Sequence, residues 1–194
     1  MKIDLGKNEL IHFVGIGGIG MSGLALIMNG LGYKVQGSDI ANNRNIERLQ
    51  KKKIRIFLNH KKENIKKTTV IVISSAIKKN NPELVEAIKK NLPVYTRGDM
   101  LGHIVSYMRN IVITGSHGKT TTTSLVSSIF TAGNLDPTII NGGVLNLFGN
   151  SAKLGKSNWC ITESDESDGS FLKIPFTYSI ATNLDSEHLD FYKN

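Results

Sequence analysis

The sequence has little cysteine and no repetitive or low-complexity segment. Cys160 is the one cysteine among 194 residues, which excludes an intrachain disulfide and a metal site made of cysteines alone. We therefore expect a protein of the cytoplasm, where thiols stay reduced. The remaining composition, with 40% hydrophobic and 21% charged residues, is typical of a globular protein that buries a core.

A long hydrophobic run is also missing. Residues 13–33 carry no formal charge, but seven of these 21 residues are glycine, and Ser22 and Asn29 interrupt the others. The preceding segment holds Asp4 and Glu9, whereas a signal peptide begins with a basic segment. We expect neither a membrane span nor a signal peptide.

The net charge of +8 is distributed unevenly. Residues 1–107 hold 18 basic and 8 acidic side chains, whereas residues 108–194 hold 6 and 8. No aromatic residue is interleaved with the lysine runs of the first part, so these runs do not predict nucleic-acid binding. A solvated surface or a general attraction for anionic substrates explains them. The change of charge near residue 108 predicts two domains.

Strands and helices alternate along the first part of the sequence. Leu24, Ile27, Met28 and Leu31 have the spacing of a packed helical face, and Asn81-Pro82 is typical of a helix start. The other predicted helices cover residues 45–52 and 99–108. The predicted strands are Ile11–Gly15, Lys34–Ser38, Ile54–Phe57, Val70–Ser74 and Val94–Thr96.

The second part repeats this alternation. A long helix follows the predicted strand Ile111–Thr114 and ends at Gly133, with Leu125/Ile129 and Val126/Phe130 as its predicted apolar face. Further predicted strands are Thr138–Ile140, Asn158–Thr162 and Tyr178–Thr182. Such alternation predicts an α/β fold with parallel sheets.

A glycine motif links the first predicted strand to the first helix. Gly15, Gly17 and Gly20 form a G-x-G-x-x-G pattern, which includes Gly18 and Ile19, and Asp39 follows the second strand. Such a turn brings bare backbone and a helix N-terminus close to a diphosphate. The motif alone does not show whether the bound diphosphate belongs to NAD or to another compound such as a UDP-sugar. The alternative to a binding site is a tight turn between strand and helix that binds no ligand.

A second phosphate-binding pattern begins the helix of the second part. Backbone amides there would hold phosphates, Lys119 would reach the β- and γ-phosphates, and Thr120 would hold Mg²⁺. The loop is shorter than the general pattern, because Ile113 stands where a first glycine is usual. The candidate ATP-binding residues are Gly115, Ser116, His117, Gly118, Lys119, Thr120 and Thr121.

Acidic residues and one histidine follow the next two strands. Glu163 ends a predicted strand, where a carboxylate beside a phosphate loop suits Mg²⁺. His188 follows the last strand and is a candidate metal ligand, although a lone histidine is more often structural. Asp165, Glu166 and Asp168 fit a metal site or a solvated acidic loop equally well.

Taken in this order, these motifs resemble the Mur ligase family. Two positions depart from the pattern of the family, since Ser116 stands where threonine is usual and Glu187 where aspartate is usual. Serine keeps the hydroxyl group of threonine, and glutamate keeps the carboxylate of aspartate. The resemblance depends on His12–Gly23, Gly37–Asp39, Gly115–Thr123, Asp136–Thr138, Asn141–Gly143, Glu163–Asp168, Ser170–Leu172, Thr182-Asn183 and His188.

The resemblance implies a fold, a reaction and a set of roles. It implies a Rossmann-like UDP-sugar-binding domain over residues 1–107 and the first part of a P-loop ATPase domain over residues 108–194. It also implies that this chain is an N-terminal fragment of an ATP-dependent ligase of peptidoglycan synthesis, with UDP-N-acetylmuramate and L-alanine as substrates. Lys119, Glu163 and His188 would be catalytic, and Thr120, Glu163 and His188 would hold Mg²⁺.

Three other functions remain open at this point. Within the family, a ligase that attaches a recycled tripeptide to the same UDP-sugar shares these motifs. An NAD-dependent dehydrogenase accounts for the glycine motif and Asp39 but leaves Lys119, Glu163 and His188 unexplained. A non-catalytic nucleotide-binding module is the third. Oligomeric state and the number of metal ions have no signal in the sequence.

Overall fold

The chain folds into two units. The computed structural model describes residues 3, 5–145, 150–164, 174–183 and 185, of which residues 142–145 and 150 are described by their backbone alone. One unit extends to Met100 and the second begins at Leu101. The boundary at residues 107 and 108, which the change of charge suggests, stays a prediction. Among the described residues, no helix has the length and apolar character needed to cross a membrane.

The first unit contains a five-stranded sheet in which every pair of neighbouring strands is parallel. The strand order is β3-β2-β1-β4-β5, so β1 lies at the centre and the order reverses between β1 and β4. Ligands of such sheets bind at this reversal, beside the carboxyl ends of the strands. The strands are β1 (Leu10–Val14), β2 (Lys34–Ser38), β3 (Arg55–Phe57), β4 (Val70–Ile73) and β5 (Val94–Thr96).

Helices connect these strands, and side chains cap two of them. Asn81 accepts hydrogen bonds from the backbone amides of Glu83 and Leu84, which confirms the predicted helix start. Asn43 caps the second helix in the same way. The helices are α1 (Ile19–Gly30), α2 (Arg44–Lys51), α3 (Pro82–Lys89) and α4 (Arg97–Val105), with a 3-10 helix over Lys62–Ile65.

The core of the first unit is centred on β1, whose Ile11, Phe13 and Val14 are fully buried. Val14 belongs to a cluster with Ile65 and Ile71. Residues 11, 13 and 14 therefore tie the sheet to the elements on both of its faces, since successive side chains of a strand point to opposite faces. Complete burial of each large apolar side chain contributes roughly 1.5–3 kcal/mol.

A buried polar network lies on one face of this sheet. Glu83 of α3 is fully buried, and its Oε2 accepts hydrogen bonds from Ser38 Oγ and, at 3.1 Å, from His60 Nδ1. Its Oε1 accepts from Asn64 Nδ2 at 2.6 Å, and His12 Nε2 lies 3.5 Å from Oε2. The network compensates the burial of a carboxylate with several donors, as buried charges require.

The second unit contains another five-stranded sheet, of order β10-β6-β9-β7-β8. All neighbouring strands are parallel except β7 and β8, which are antiparallel. The alternation rule did not predict β8. The elements are β6 (Arg109–Thr114), α5 (Lys119–Ala132), β7 (Thr138–Leu145), β8 (Asn150–Lys153), β9 (Trp159–Glu163) and β10 (Tyr178–Ala181). The predicted α/β architecture is confirmed.

The prediction of the apolar face of α5 was wrong for Leu125 and Ile129, whereas Val126 and Phe130 are half-buried and Phe130 packs against Trp159 of β9. Leu125 and Ile129 are 61% and 69% exposed, whereas Thr123 and Ser127 are fully buried. Ser127 can lie against the sheet because its hydroxyl is satisfied within the helix, where Ser127 Oγ donates to the carbonyl oxygen of Thr123 at 2.6 Å. Hydrophobicity alone therefore did not identify the most deeply buried residues of this helix.

The pKa of Glu83 generates a prediction about stability. Burial raises the pKa of this carboxyl, but hydrogen bonds from His12, Ser38 and Asn64 and the electrostatic attraction to His12 together lower it more, so that the pKa lies below its ordinary value of 4.5. The carboxylate therefore stabilises the fold above about pH 4.5, and this contribution is lost as the pH falls through the lower folded-state pKa. Glu83→Gln should lower the free energy of unfolding at neutral pH by about 1–3 kcal/mol and should weaken the loss of stability in acid. Urea unfolding followed by circular dichroism measures both effects.

Glu86→Gln on the same helix is the matched control. Glu86 Oε1 pairs with Lys90 Nζ at 3.3 Å on the surface, and such pairs contribute less than about 1 kcal/mol. Equal destabilisation by the two substitutions would contradict the importance of the buried network.

Candidate functional site

The glycine motif of the first unit is a tight turn at the carboxyl end of β1. The carbonyl oxygen of Ser38 accepts hydrogen bonds from the amides of Gly15 and Ile16, at 2.9 and 3.0 Å, which fastens the turn to β2. Gly15 has a φ of +80°, a conformation that glycine adopts without strain. Gly18 is the N-cap of α1 and provides no side-chain cap. The turn therefore presents backbone at the start of a helix.

Asp39 lies directly on this turn. Its Oδ2 accepts a hydrogen bond from the amide of Gly17 at 2.8 Å, and a Cβ atom at Gly17 would lie 2.9 Å from the same oxygen. The structure thus brings Asp39 and the glycine motif together, as the sequence predicts. The Asp39 carboxylate also accepts from the amide of Ala41 at 3.0 Å, through Oδ1.

Two asparagines on the same turn were not identified from the sequence. Asn43 Nδ2 and Asn45 Nδ2 both donate to the carbonyl oxygen of Gly17, at 3.1 and 2.9 Å. Asn43 is also the N-cap of α2, and that local role is the only one its sequence context indicates. Together with Asp39 they hold both polar groups of the Gly17 backbone, so the turn is rigidly positioned.

The second candidate site is the loop between β6 and α5. Gly115 and Gly118 have φ angles of +126° and +80°, which the predicted phosphate loop requires of its glycines. Lys119 is the first residue of α5, and its Nζ donates to the carbonyl oxygens of Gly115 at 2.6 Å and Ser116 at 3.2 Å. The lysine thus lies along the loop that is predicted to hold the phosphates of ATP, which Lys119 is predicted to contact.

The segment after β10 clamps this loop. Asn183 Oδ1 accepts a hydrogen bond from the amide of His117 at 2.8 Å, and Thr182 Oγ1 donates to the carbonyl oxygen of His117 at 2.6 Å. A Cβ atom at Gly115 would collide with the Oγ1 atom of Thr182. The resemblance included residues 182 and 183 without giving them a role, and pairing of β10 with β6 is what brings them to the loop.

Thr120, Glu163 and Asn141 meet beside the loop. Thr120 Oγ1 donates to Glu163 Oε2 at 3.0 Å, and the amide of Asn141 is placed to donate to both carboxylate oxygens of Glu163. The predicted pair of metal ligands is therefore brought together by the pairing of β6 with β9. Hydroxyl and carboxylate oxygens are groups that Mg²⁺ prefers.

Several predicted residues fall outside the described part of the chain. His188 is one of them, as are Asp165, Glu166, Asp168 and Glu187. Within the part that is described, no three histidine, cysteine, aspartate or glutamate side chains form a group that could hold a metal ion. Ser116, whose Oγ accepts from the amide of Asp185 at 3.2 Å, and Thr121 lie in the described loop and helix.

Cys160 takes no part in either site. It is fully buried in β9, and burial raises the pKa of its thiol to about 12. Such a thiol stays protonated and inert near neutral pH. The interpretation of this residue as core packing is confirmed.

Models of protein families match both parts of the chain. The model described as the catalytic domain of the Mur ligase family matches residues 10–109. The model described as the Mur ligase middle domain matches residues 113–194.

Curated relatives match along the whole chain. The UDP-N-acetylmuramate–L-alanine ligases of Pelagibacter ubique and Brucella ovis are 69% and 53% identical to it over 194 residues. The match covers 100% of this chain but 42% and 41% of those two proteins. The chain thus spans about two fifths of the length of the curated relatives it matches.

Solved structures of ligases have the same fold. The UDP-N-acetylmuramate–alanine ligase of Thermotoga maritima superimposes with a TM-score of 0.87 at 33% identity, over 95% of this chain and 43% of its own. The UDP-N-acetylmuramate:L-alanyl-γ-D-glutamyl-meso-diaminopimelate ligase of Neisseria meningitides superimposes with a TM-score of 0.86 at 26% identity. This match covers 96% of the present chain and 64% of the Neisseria chain. Since one family model alone matches half of the chain, and a second matches most of the remainder, the chain belongs to the Mur ligase family.

Proposed function

We propose that the chain is the N-terminal part of an ATP-dependent ligase that joins L-alanine to the carboxylate of UDP-N-acetylmuramate in peptidoglycan precursor synthesis. One observation carries this proposal: each of the two units has a glycine-rich turn at the start of a helix, one for each phosphate-bearing substrate. The names of the two relatives that are 69% and 53% identical support the choice of substrates. We infer a cytoplasmic location, where nucleotide substrates are made.

The first site would bind the UDP-sugar within residues 1–107. Gly15, Gly17, Gly18, Ile19 and Gly20 would offer backbone to the diphosphate, and the N-terminus of α1 would add its partial positive charge. Asp39 lies on the β2 side of the turn, where a ribose hydroxyl is bound in related folds. Its carboxylate holds Gly17 at the same time.

The second site would bind ATP within residues 108–194. The backbone of Gly115, Ser116, His117 and Gly118 would surround the phosphates, followed by Lys119, Thr120 and Thr121 at the start of α5. The hydrogen bonds from Thr182 and to Asn183 support this role, because they hold the loop before a nucleotide arrives. Groups that are already in position need not be reorganised, at a cost in free energy, when the reaction occurs.

The proposed reaction has two steps. The carboxylate of UDP-N-acetylmuramate attacks the γ-phosphorus of ATP, which forms an acyl phosphate and releases ADP. The amine of L-alanine then attacks the acyl carbon, and phosphate leaves as the amide forms. Lys119 would stabilise the charge that builds on the phosphate oxygens, so its contribution is greatest in the transition state.

Thr120, Glu163 and His188 are the proposed ligands of Mg²⁺. The two described ligands fit this metal, since their oxygen atoms lie 3.0 Å apart at the start of α5. Magnesium supplies charge neutralisation for the transferred phosphate when it is bound. Asn141 would orient the Glu163 carboxylate through its amide.

The alternatives fit fewer observations. A ligase for the recycled tripeptide has a relative of the same fold, but that relative is 26% identical, against 69% and 53% for the two alanine ligases. An NAD-dependent dehydrogenase leaves the loop at Lys119 without a purpose. Calorimetric titration of the chain with UDP-N-acetylmuramate, NAD⁺ and ATP–Mg²⁺ separates an ATP-dependent ligase from an NAD-dependent dehydrogenase. Binding of NAD⁺ but of neither other compound would overturn the proposal.

Gly18→Val tests the first site. Gly18 has φ −61° and ψ 148°, which valine also adopts, and the nearest atom to a Cβ there is 3.5 Å away. The substitution should therefore leave the fold intact, yet its bulk would keep a diphosphate from the backbone of the turn. We expect calorimetry to show an affinity for UDP-N-acetylmuramate that is lower by about 100-fold or more.

Gly6→Val is the control for this experiment. Gly6 lies in the turn before β1, at the opposite edge of the sheet, and a Cβ there has no atom closer than 4.0 Å. The Gly6→Val chain should bind the UDP-sugar with the same affinity as the unchanged chain. Unaltered affinity in Gly18→Val would refute the assignment of this turn.

Lys119→Ala tests the chemistry in the full-length ligase. Loss of a charge that stabilises the transition state should lower kcat by about 10²–10³. Release of ADP, measured with a coupled assay, gives the rate. Lys156→Ala removes the same charge from an exposed position of the second unit and should leave the rate unchanged. Wild-type ligation by Lys119→Ala, or formation of AMP in place of ADP, would contradict this mechanism.

A further inference from the structure

Arg97 lies at the edge of the first sheet that carries the glycine turn. It directly follows β5 and is the first residue of α4. Because all strands of this sheet are parallel, the carboxyl ends of β1 and β5 share one edge, with β4 between them. The two ends are about 10 Å apart, two strand spacings, a distance that an arginine side chain helps to bridge.

The Arg97 side chain reaches the first turn of α1. A Cβ atom placed on Gly20 would lie 3.1 Å from Cδ of Arg97, 3.5 Å from Nη1 and 3.8 Å from Nε. The third glycine of the motif therefore makes room for a guanidinium group. In related dinucleotide-binding folds this glycine instead permits close packing of the helix on the strand.

The charges around this position favour an anion. The first turn of α1 contains no acidic residue, and its N-cap provides no side-chain acceptor. A helix N-terminus carries a partial positive charge that attracts an anion, and a guanidinium group beside it can contact the same anion. The planar fork of arginine matches two oxygen atoms of a phosphate better than an ammonium group does.

We propose that Arg97 binds the diphosphate of the UDP-sugar, from the β5 side of the glycine turn. This inference rests on the proposed function, because it takes the turn as the UDP-sugar site. Asp39 lies on the β2 side of the same turn, next to the amide of Gly17. The site is thus asymmetric, with a carboxylate for hydroxyl groups on one side and a guanidinium for phosphate on the other.

Sequence reasoning did not single out Arg97 because nothing local marks it. It stands alone after a short strand, far in sequence from the motif at Gly20. Its contact depends on the position of β5 in the sheet order.

The test compares UDP with uridine, since only the first carries the diphosphate. Calorimetric titrations use the 194-residue chain, its Arg97→Ala and Arg97→Lys variants, and both compounds at low and high salt. We expect Arg97→Ala to lower the affinity for UDP by about 10–100-fold and to leave uridine binding nearly unchanged. Arg97→Lys should recover part of the loss, because it restores charge without the planar fork. The affinity of the Arg97→Ala variant for UDP should also depend less on salt concentration than the affinity of the unaltered chain.

Arg55→Ala is the matched control. Arg55 is an exposed residue at the start of β3, where its guanidinium lies 4.7 Å from the centre of the Phe57 ring. Arg55→Ala removes one positive charge from the same unit and should leave the affinity for UDP unchanged. Circular dichroism of every variant verifies that the fold is retained, and Arg97→Lys keeps the test valid if Arg97→Ala does not fold.

The outcomes separate this inference from the proposed function. Unchanged UDP affinity in both Arg97 variants, with UDP bound by the unaltered chain, overturns the role of Arg97 alone. An equal loss of UDP and uridine binding also overturns it, since it indicates a structural role. If the unaltered chain binds neither UDP nor UDP-N-acetylmuramate, the assignment of the site fails and the role of Arg97 fails with it.

Discussion

Parallel pairing of one strand with neighbours on both sides is the constraint on which each unit depends. β1 pairs with β2 and β4, and β6 pairs with β9 and β10. In a parallel sheet the carboxyl ends of neighbouring strands meet at one edge, and the loops that follow them are forced together there. Both candidate sites lie at such an edge, so their geometry is a direct consequence of strand order.

Each glycine-rich turn is held by groups from the neighbouring strands. In the first unit the carbonyl oxygen of Ser38 and the carboxylate of Asp39 bind the turn at three amides. In the second, Asn183 accepts from the backbone amide of His117 and Thr182 donates to its carbonyl oxygen. The turns are thus fixed before any ligand binds, and binding need not order them.

Buried polar contacts connect the first turn to the fold beneath it. Ser38 contributes its carbonyl oxygen to Gly15 and Ile16, while its hydroxyl donates to the buried carboxylate of Glu83. His12, from the centre of the sheet, lies 3.3 Å from the same hydroxyl. An unpaired carboxylate in this place would destabilise the unit strongly, so stability and the position of the turn depend on the same few hydrogen bonds.

The sequence by itself determined the local features of this protein. Alternating strands and helices, the helix cap at Asn81 and the glycines of both turns follow from neighbouring residues and their backbone preferences. Only the tertiary structure decided which distant side chains meet: Arg97 at Gly20, and the asparagines at Gly17 and His117. It also decided that Thr123 and Ser127, rather than Leu125 and Ile129, are the buried residues of α5. Such contacts depend on strand order and on the rotation of each helix about its axis, which arise from pairing between segments far apart in the chain.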